Sequence, residues 1–468
     1  MHICTFGQTN PDKEKIIASL ESQQATYADI AKKIWEYAEV GYQEQKSSAL
    51  LQEQLKKAGF EIASGVAEIP TAFTATFGSG KPVIGILAEF DALPGLSQAA
   101  VPEKKAVVAE GAGHGCGHNL FGAGSTAAAI AIKNWLKTSG TKGTIRLYGT
   151  PAEEGGSGKV YMVREGLFKD VDVVLHWHPG DRNSADASSS LANKSGKFRF
   201  HGIASHAAGA PERGRSALDG VEAMNYMVNM MREHIPSDTR IHYVITRGGE
   251  APNVVPAFAE VYYYVRHHNM NTVKQIWDRV VKAAEGAALG AGVTMDVEIT
   301  GGVYNLLPNE KLARLMHSNL KTVGGFNYTP EEKDFATKIQ SSFIAEKPSI
   351  DLAKEVGPFK IEELREGGSG STDVGDVSWA VPTAGLRSAT FVPGTPGHSW
   401  QAVAAGGTNI GAKGMMVAAK TLALTAYDIF KNPSITAEAN QELVKKRGEN
   451  YKYEALLGDR KPALDYRK

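Results

Sequence analysis

The chain is poor in four things that would have settled its class at once. It has two cysteines, Cys4 and Cys116, in 468 residues, too few for a disulfide framework and consistent with a reducing compartment. No apolar run approaches the roughly 18 residues that a membrane-crossing helix needs. Met1 to Pro11 lacks the basic flank and apolar stretch of a secretory leader. Neither sign of charge prevails, since 51 basic residues face 51 acidic ones, and nothing favours nucleic acid or an anionic membrane as partner. The expectation is a soluble, cytoplasmic protein.

Glycine, by contrast, is plentiful at 50 residues, and 42% of the chain is apolar, enough for a large core joined by tight turns. The length exceeds what one compact core accommodates and suggests two domains, one inserted in the other. Helical spacing over Pro11 to Phe60 predicts two helices ending at Gly59. Thr71 to Phe77 alternates like a strand, and Val83 to Ala88 is a continuous apolar run of the kind covered on both faces. Two more buried strands, Thr144 to Tyr148 and Val171 to Trp177, follow with helical stretches between them. That alternation predicts a mainly parallel sheet whose ligands gather beyond the carboxyl ends of its strands.

From about Lys194 to Leu307 the order becomes strand, helix, strand, strand, helix, strand, that of a ferredoxin-like unit. The boundaries expected are 1–193 for the first part of a catalytic domain, 194–307 for the insertion and 308–468 for the second part. A charged stretch from Thr329 to Glu366 reads as surface. The run Gly367 to Asp373 follows it, a glycine-broken helix near Gly411 to Phe430 closes the fold, and the charged tail beyond Asn432 has no readable structure.

The chemistry gathers around Gly113-His114-Gly115-Cys116-Gly117-His118-Asn119. In an extended backbone alternate side chains share a face, so His114, Cys116 and His118 can point one way. Asn119 is placed to cap a helix over Phe121 to Leu136. Such a run suits a metal, but a buried apolar thiol or an anion-binding glycine loop are equally open readings. Adjacent Glu153 and Glu154 lie between Pro151 and two glycines, in a turn where both can reach one cavity. One carboxylate could hold a metal while the other serves as general base toward a metal-bound water; an exposed acidic turn is the bland alternative. His178 closes a buried strand and His398 sits in a Pro-Gly loop, where a lone histidine is more often structural. Together Cys116, His118, Glu154, His178 and His398 make five ligands, more than one tetrahedral zinc requires. Two metals sharing the Cys116 thiolate would use them all. Mixed N, O and S ligation fits zinc, manganese or cobalt, and His114 and His176 are spare imidazoles.

The segments Leu87 to Pro94, Gly113 to Asn119, Pro151 to Gly156, Ser205-His206-Ala207-Ala208 and Asn253-Val254-Val255-Pro256 resemble the signature stretches of the metallo-amidohydrolases related to aminoacylases and glutamate carboxypeptidases. Thr372 to Trp379 and Gly394 to Gln401 bring the chain closer to the B-type subunits of the aminobenzoyl-glutamate hydrolases. The resemblance spans nearly the whole chain. It implies an α/β metallopeptidase-type catalytic domain with an inserted ferredoxin-like dimerisation domain. It further implies two divalent cations on Cys116, His118, Glu154, His178 and His398, with Glu153 as base. His178 is preferred to His176 because it lies six residues after Asp172, as the family's ligand lies after its aspartate. Asp91 matches an aspartate near the site. His206 matches a histidine that reaches into a partner's active site to stabilise the oxyanion, and Asn253 and Arg266 match a substrate-holding pair. From the residues alone, His206 could equally be a turn residue, Asn253 a cap and Arg266 a surface cation. The expected activity is hydrolysis of an N-acyl amino acid amide, aminobenzoyl-glutamate-like first, in a homodimer or a heteromer with a related subunit. A dipeptidase or carboxypeptidase, or a non-catalytic ligand-binding subunit supporting a homologous partner, are the alternatives.

Overall fold

The computed structural model describes residues 10–362 and 370–467; Cys4 and the glycines at 367 and 368 lie outside the described residues. Where two amino-terminal helices were expected there are three, α1 (Pro11–Ser22), α2 (Gln24–Tyr37) and α3 (Gln45–Lys57). Ala38, with φ 44°, ends α2 in the left-handed region and turns the chain. Gly41 follows that turn; the unexpected break is the one at Gln23, between α1 and α2, with no proline or glycine to announce it.

Next come β1 (Glu61–Ser64), β2 (Phe73–Ser79), β3 (Val83–Ala88), α4 (His118–Ser139), β4 (Gly143–Gly149), α5 (Gly158–Arg164) and β5 (Val173–Gly180). A short strand β6 (Ala187–Ser188) leads into the second unit. That unit comprises β7 (Ala192–His201), α6 (Ala217–Met231), β8 (Arg240–Arg247), β9 (Phe258–His267), α7 (Met270–Ala291) and β10 (Thr294–Val303). The first unit then resumes with α8 (Glu310–Val323), α9 (Pro330–Ser341), β11 (Ile361–Glu362), α10 (Val374–Ala380), β12 (Thr383–Ala389), α11 (Trp400–Gly406), α12 (Asn409–Lys431) and α13 (Ser434–Arg447).

The larger sheet has the order β1-β2-β4-β3-β5-β12. Its four strands from β4 to β12 run parallel, and β1 and β2 add an antiparallel edge. Strand β3 is buried along its whole length, as a central strand covered by helices on both faces must be. The chain leaves β3 for β4 on one side and reaches β5 on the other, so the sheet reverses its winding at β3. A crevice opens at such a switch point, beyond the carboxyl ends of the strands. The smaller sheet is antiparallel, in the order β10-β7-β9-β8, with α6 and α7 on one face. It has its own core, built on Phe198, Phe200, Tyr263 and Trp277.

Two expectations need correction. Asn119 does not cap α4: the helix starts at His118 after Gly117, and Asn119 lies inside it, its amide donating to the carbonyls of Ala31 and Gly406. Nor is the stretch from Thr329 simply surface. Pro330–Ser341 is a helix with a Thr329–Glu332 capping box, and its Ala336 and Ile339 pack with Val392, Ala404 and Ile410.

Candidate metal centre

Each strand of the parallel sheet hands its chemistry to the same crevice. Just past β3, Glu89 and Asp91 are buried. Gly117, at φ 72°, permits the turn into α4, and a side chain there would run into Pro179. The turn sets Cys116 before the helix and His118 at its first position. The turn after β4 carries Glu153 and Glu154, β5 carries His178, and the loop after β12 carries His398. Glu89, Cys116, Glu153, Glu154, His178 and His398 all line one cavity of about 750 Å³.

The thiol of Cys116 lies at the centre. Its Sγ is 3.5 Å from His178 Nε2 and 3.4 Å from His398 Nε2. It belongs to two groups of potential ligand atoms, one with His118 and His178, the other with Glu154 and His398, each group within 4.8 Å throughout. A tetrahedral cation about 2.3 Å from sulfur and about 2.0 Å from nitrogen would set the two ligands roughly 3.5 Å apart. The observed spacings fit that geometry. A second test agrees. His118 Nε2 is buried 3.0 Å from Glu89 Oε2, and Glu154 Oε1 lies 3.1 Å from His398 Nε2, nitrogen and oxygen donors crowded together as ligands of a shared cation would be.

Asp91 organises this centre. Its Oδ1 accepts from His118 Nδ1 at 2.9 Å, which orients the ring and turns Nε2 toward Glu89 Oε2 at 3.0 Å. Against the cost of burial, Asp91 and Glu89 hold His118 well above the usual imidazole range, so a cation bound at Nε2 would replace a proton. Its Oδ2 accepts the backbone N–H of Glu154 at 2.9 Å. One carboxylate thus aligns two of the expected ligands. Burial holds His178 well below the usual imidazole range, leaving it neutral and able to ligate. Hydrogen bonds to Cys116 and Glu154 push His398 up to about 10. For Glu153, burial and then the charges of Glu89 and Glu154 raise the carboxyl well above its ordinary value, the condition under which a carboxylate accepts a proton readily.

The two spare imidazoles are accounted for. His114 is buried and bonded through Nε2 to the Ile34 carbonyl at 3.0 Å, away from the cluster. His176 faces the cavity and rests over Gly385, its paired residue on β12, where a side chain would displace it. Burial lowers it to about 3. Sequence reasoning missed a neighbouring feature. Lys159 is buried with Nζ 2.7 Å from both Glu89 Oε1 and Asp373 Oδ1, and its backbone N–H also donates to Asp373. Glu89, at the carboxyl end of β3, could have been noticed from its place. Lys159 carries no local signal.

The second unit contributes unevenly. Arg266, on β9, lines the cavity and stacks on Tyr264 at 5.3 Å. His206 and Asn253 do not line it. They meet instead on an exposed ridge, where His206 pairs with Val254 and the Ala207 N–H donates to the Asn253 carbonyl at 3.0 Å. His206 Nδ1 accepts the backbone N–H groups of Ala208 and Gly209 at 3.2 and 3.0 Å. That leaves Nε2 as an outward-facing donor.

Comparison with known proteins adds a second line of support. The family model described as peptidase family M20/M25/M40 matches residues 85–402. The B-type subunit of the p-aminobenzoyl-glutamate hydrolase of Escherichia coli (strain K12) is 43% identical over 449 residues, covering 91% of this chain and 93% of its own length. The Xaa-Arg dipeptidase of Mus musculus is 28% identical, covering 88% of each chain. Among solved structures, a dinuclear metal binding peptidase from Bacillus subtilis superposes with a TM-score of 0.55 at 15% identity, over 87% of this chain and 99% of its own. At that identity the likeness speaks for the fold.

Proposed function

The chain belongs to peptidase family M20/M25/M40 and is a metal-dependent amide hydrolase; from that premise we propose that it cleaves N-acyl amino acids of the aminobenzoyl-glutamate type, with Glu153 as general base. The observation that carries this reading is the sharing of Cys116 between two donor groups beside a further carboxylate. His118 and His178 would hold one divalent cation, Glu154 and His398 another, with the thiolate common to both. Zinc, manganese and cobalt all suit the donors. Bound there, such ions would polarise the amide carbonyl and acidify a water molecule.

The remaining work falls to the protein. Glu153 takes the proton from water and returns it to the leaving amine. Asp91 keeps His118 in its ligating tautomer. Arg266, on the cavity wall, can grip the substrate carboxylate through two parallel hydrogen bonds. His206 and Asn253 would act on the cavity of a second copy or of a related subunit, His206 donating Nε2–H to the developing oxyanion and Asn253 holding substrate. The second unit carries a face suited to such a partner: edge strand β8 and helix α6 expose Tyr226, Met230, Val244 and Ile245 at 68, 52, 55 and 41%. The E. coli relative is a subunit of its enzyme, which favours an assembly.

The reading as a dipeptidase rests on the Mus musculus relative, which matches over most of its length. A non-catalytic role finds no support in a missing group, since residues suited to all five proposed ligand positions and to the proposed base are present around one crevice. Metal analysis of the purified chain, with a screen of N-acyl glutamates, other N-acyl amino acids and dipeptides, tests the proposal. Hydrolysis of N-acyl glutamates is expected; hydrolysis of dipeptides alone would replace it. Among the described residues no helix is long and apolar enough to cross a membrane.

A further inference from the structure

The turn that presents Glu153 and Glu154 is strained. Ala152, Gly155 and Ser157 have φ of 58, 94 and 60°, and for the alanine and the serine that conformation is unfavourable. Its surroundings must therefore impose it. Three contacts come from the amino-terminal region: Ala152 N–H donates to Glu44 Oε1 at 2.8 Å, Glu154 N–H to Asp91, and Tyr42 Oη donates to the Gly156 carbonyl at 2.7 Å. The carbonyl of Glu154 itself accepts two hydrogen bonds from far along the chain. Tyr466 Oη donates to it at 3.0 Å and an Arg467 guanidinium nitrogen at 2.9 Å.

These two residues end a strap that leaves α13 and crosses both units. Tyr304 Oη donates to the Glu454 carbonyl, Leu456 enters the core of the second unit, and Arg460 donates to the Ile299 carbonyl on β10. The strap then passes to the first unit, where Arg164 donates to the Arg460 carbonyl at 2.8 Å and Gln43 to that of Leu464 at 2.7 Å. Tyr466 packs edge-on against Tyr42 at 5.5 Å, over Gly41, where a side chain would meet the Tyr466 hydroxyl. Arg467 reaches the cavity wall.

We infer that Tyr466 and Arg467 are positioning residues: by holding the Glu154 carbonyl they fix the strained turn that aims the Glu154 carboxylate at Cys116 and His398 and Glu153 at the substrate. The inference rests on the function proposed above. Groups that orient ligands from behind typically change metal affinity by about 10–100-fold. The Tyr466→Phe/Arg467→Ala double variant should therefore bind one of its two zinc ions at least about 10-fold less tightly in a chelator-competition titration. Its kcat should fall with KM unchanged, and its thermal midpoint should stay near that of the wild type. Arg467→Lys, which keeps a donor, should recover part of the affinity. Tyr466→Phe alone preserves the ring packing and removes one donor, so a loss of about fivefold is expected, and it decides the matter if the double variant fails to fold. Wild-type zinc affinity in a folded double variant, or in Tyr466→Phe should the double variant not fold, overturns the inference alone. A wild-type chain that binds no zinc, manganese or cobalt overturns the proposed function as well.

Discussion

The crevice of the parallel sheet and the outer face of the second unit are opposites. In the crevice, Glu89, Asp91, His118, Lys159 and Asp373 are charged or polar and almost wholly buried. On the outer face, Tyr226, Met230, Val244 and Ile245 are apolar and exposed. Each arrangement is costly in isolation, because buried charge loses its hydration and exposed apolar area gains nothing. The contrast teaches that neither region is complete in the single chain: the first suits cations, and the second is the surface that the proposed assembly would cover. His206 and Asn253 lie in the second unit, outside their own chain's cavity, and the proposed function gives them work in a partner's crevice.

Breaking the first region at its base should give the largest effect. Glu153→Gln is expected to lower turnover by about 10³-fold while metal content stays at the wild-type level, measured by steady-state hydrolysis beside elemental analysis. Turnover within tenfold of the wild type with both ions retained would remove Glu153 from the mechanism.

Lys159→Met attacks the same region through its charge balance. It leaves Asp373 without its cation and Glu89 with His118 alone, which should cost about 3–5 kcal/mol of stability in denaturant titration. If the midpoint barely moves, the buried triad is not what stabilises the crevice.

His206→Ala sharpens the comparison, since it removes a residue outside its own chain's cavity. A loss of about 10²-fold in kcat is expected. Mixing this variant with Glu153→Gln should restore activity, because one mixed site then holds an intact Glu153 and an intact His206. Mixed samples no more active than either parent would place His206 outside catalysis in trans. Val244→Asp, on the exposed edge, should shift the assembly toward monomer in sedimentation and lower activity with it.

The smallest effect concerns protons. In the metal-free protein hydrogen bonds to Cys116 and Glu154 push His398 up to about 10, above the ordinary imidazole value. The stabilisation from its charge is complete below about pH 6.5 and is lost as pH rises through about 10. A cation must displace that proton, so binding should release it and tighten as pH increases toward 10. Calorimetry in two buffers of different ionisation enthalpy at about pH 7.5 reads the proton directly; equal heats would refute it.

Much of this was legible in the residues. The apolar run Val83 to Ala88 is β3 to the residue, because a strand covered on both faces leaves no room for polarity. The Glu153–Glu154 turn was marked by Pro151 and two glycines. The order of elements between 192 and 303 also followed from periodicity. Other features left no trace. The break between α1 and α2 lies at Gln23, a residue with no turn preference, and the helix at Pro330–Ser341 was hidden by its charged surface face.

What the sequence determined by itself was therefore local: which stretches are strands, which turns bend, and which residue types could ligate a metal. Glu89, Lys159 and Asp373, or Glu154 and Arg467, are separated by tens to hundreds of positions, and no period or motif links them. Only the tertiary structure decided that they meet, because a buried charge is stable solely where the folded chain supplies its partner.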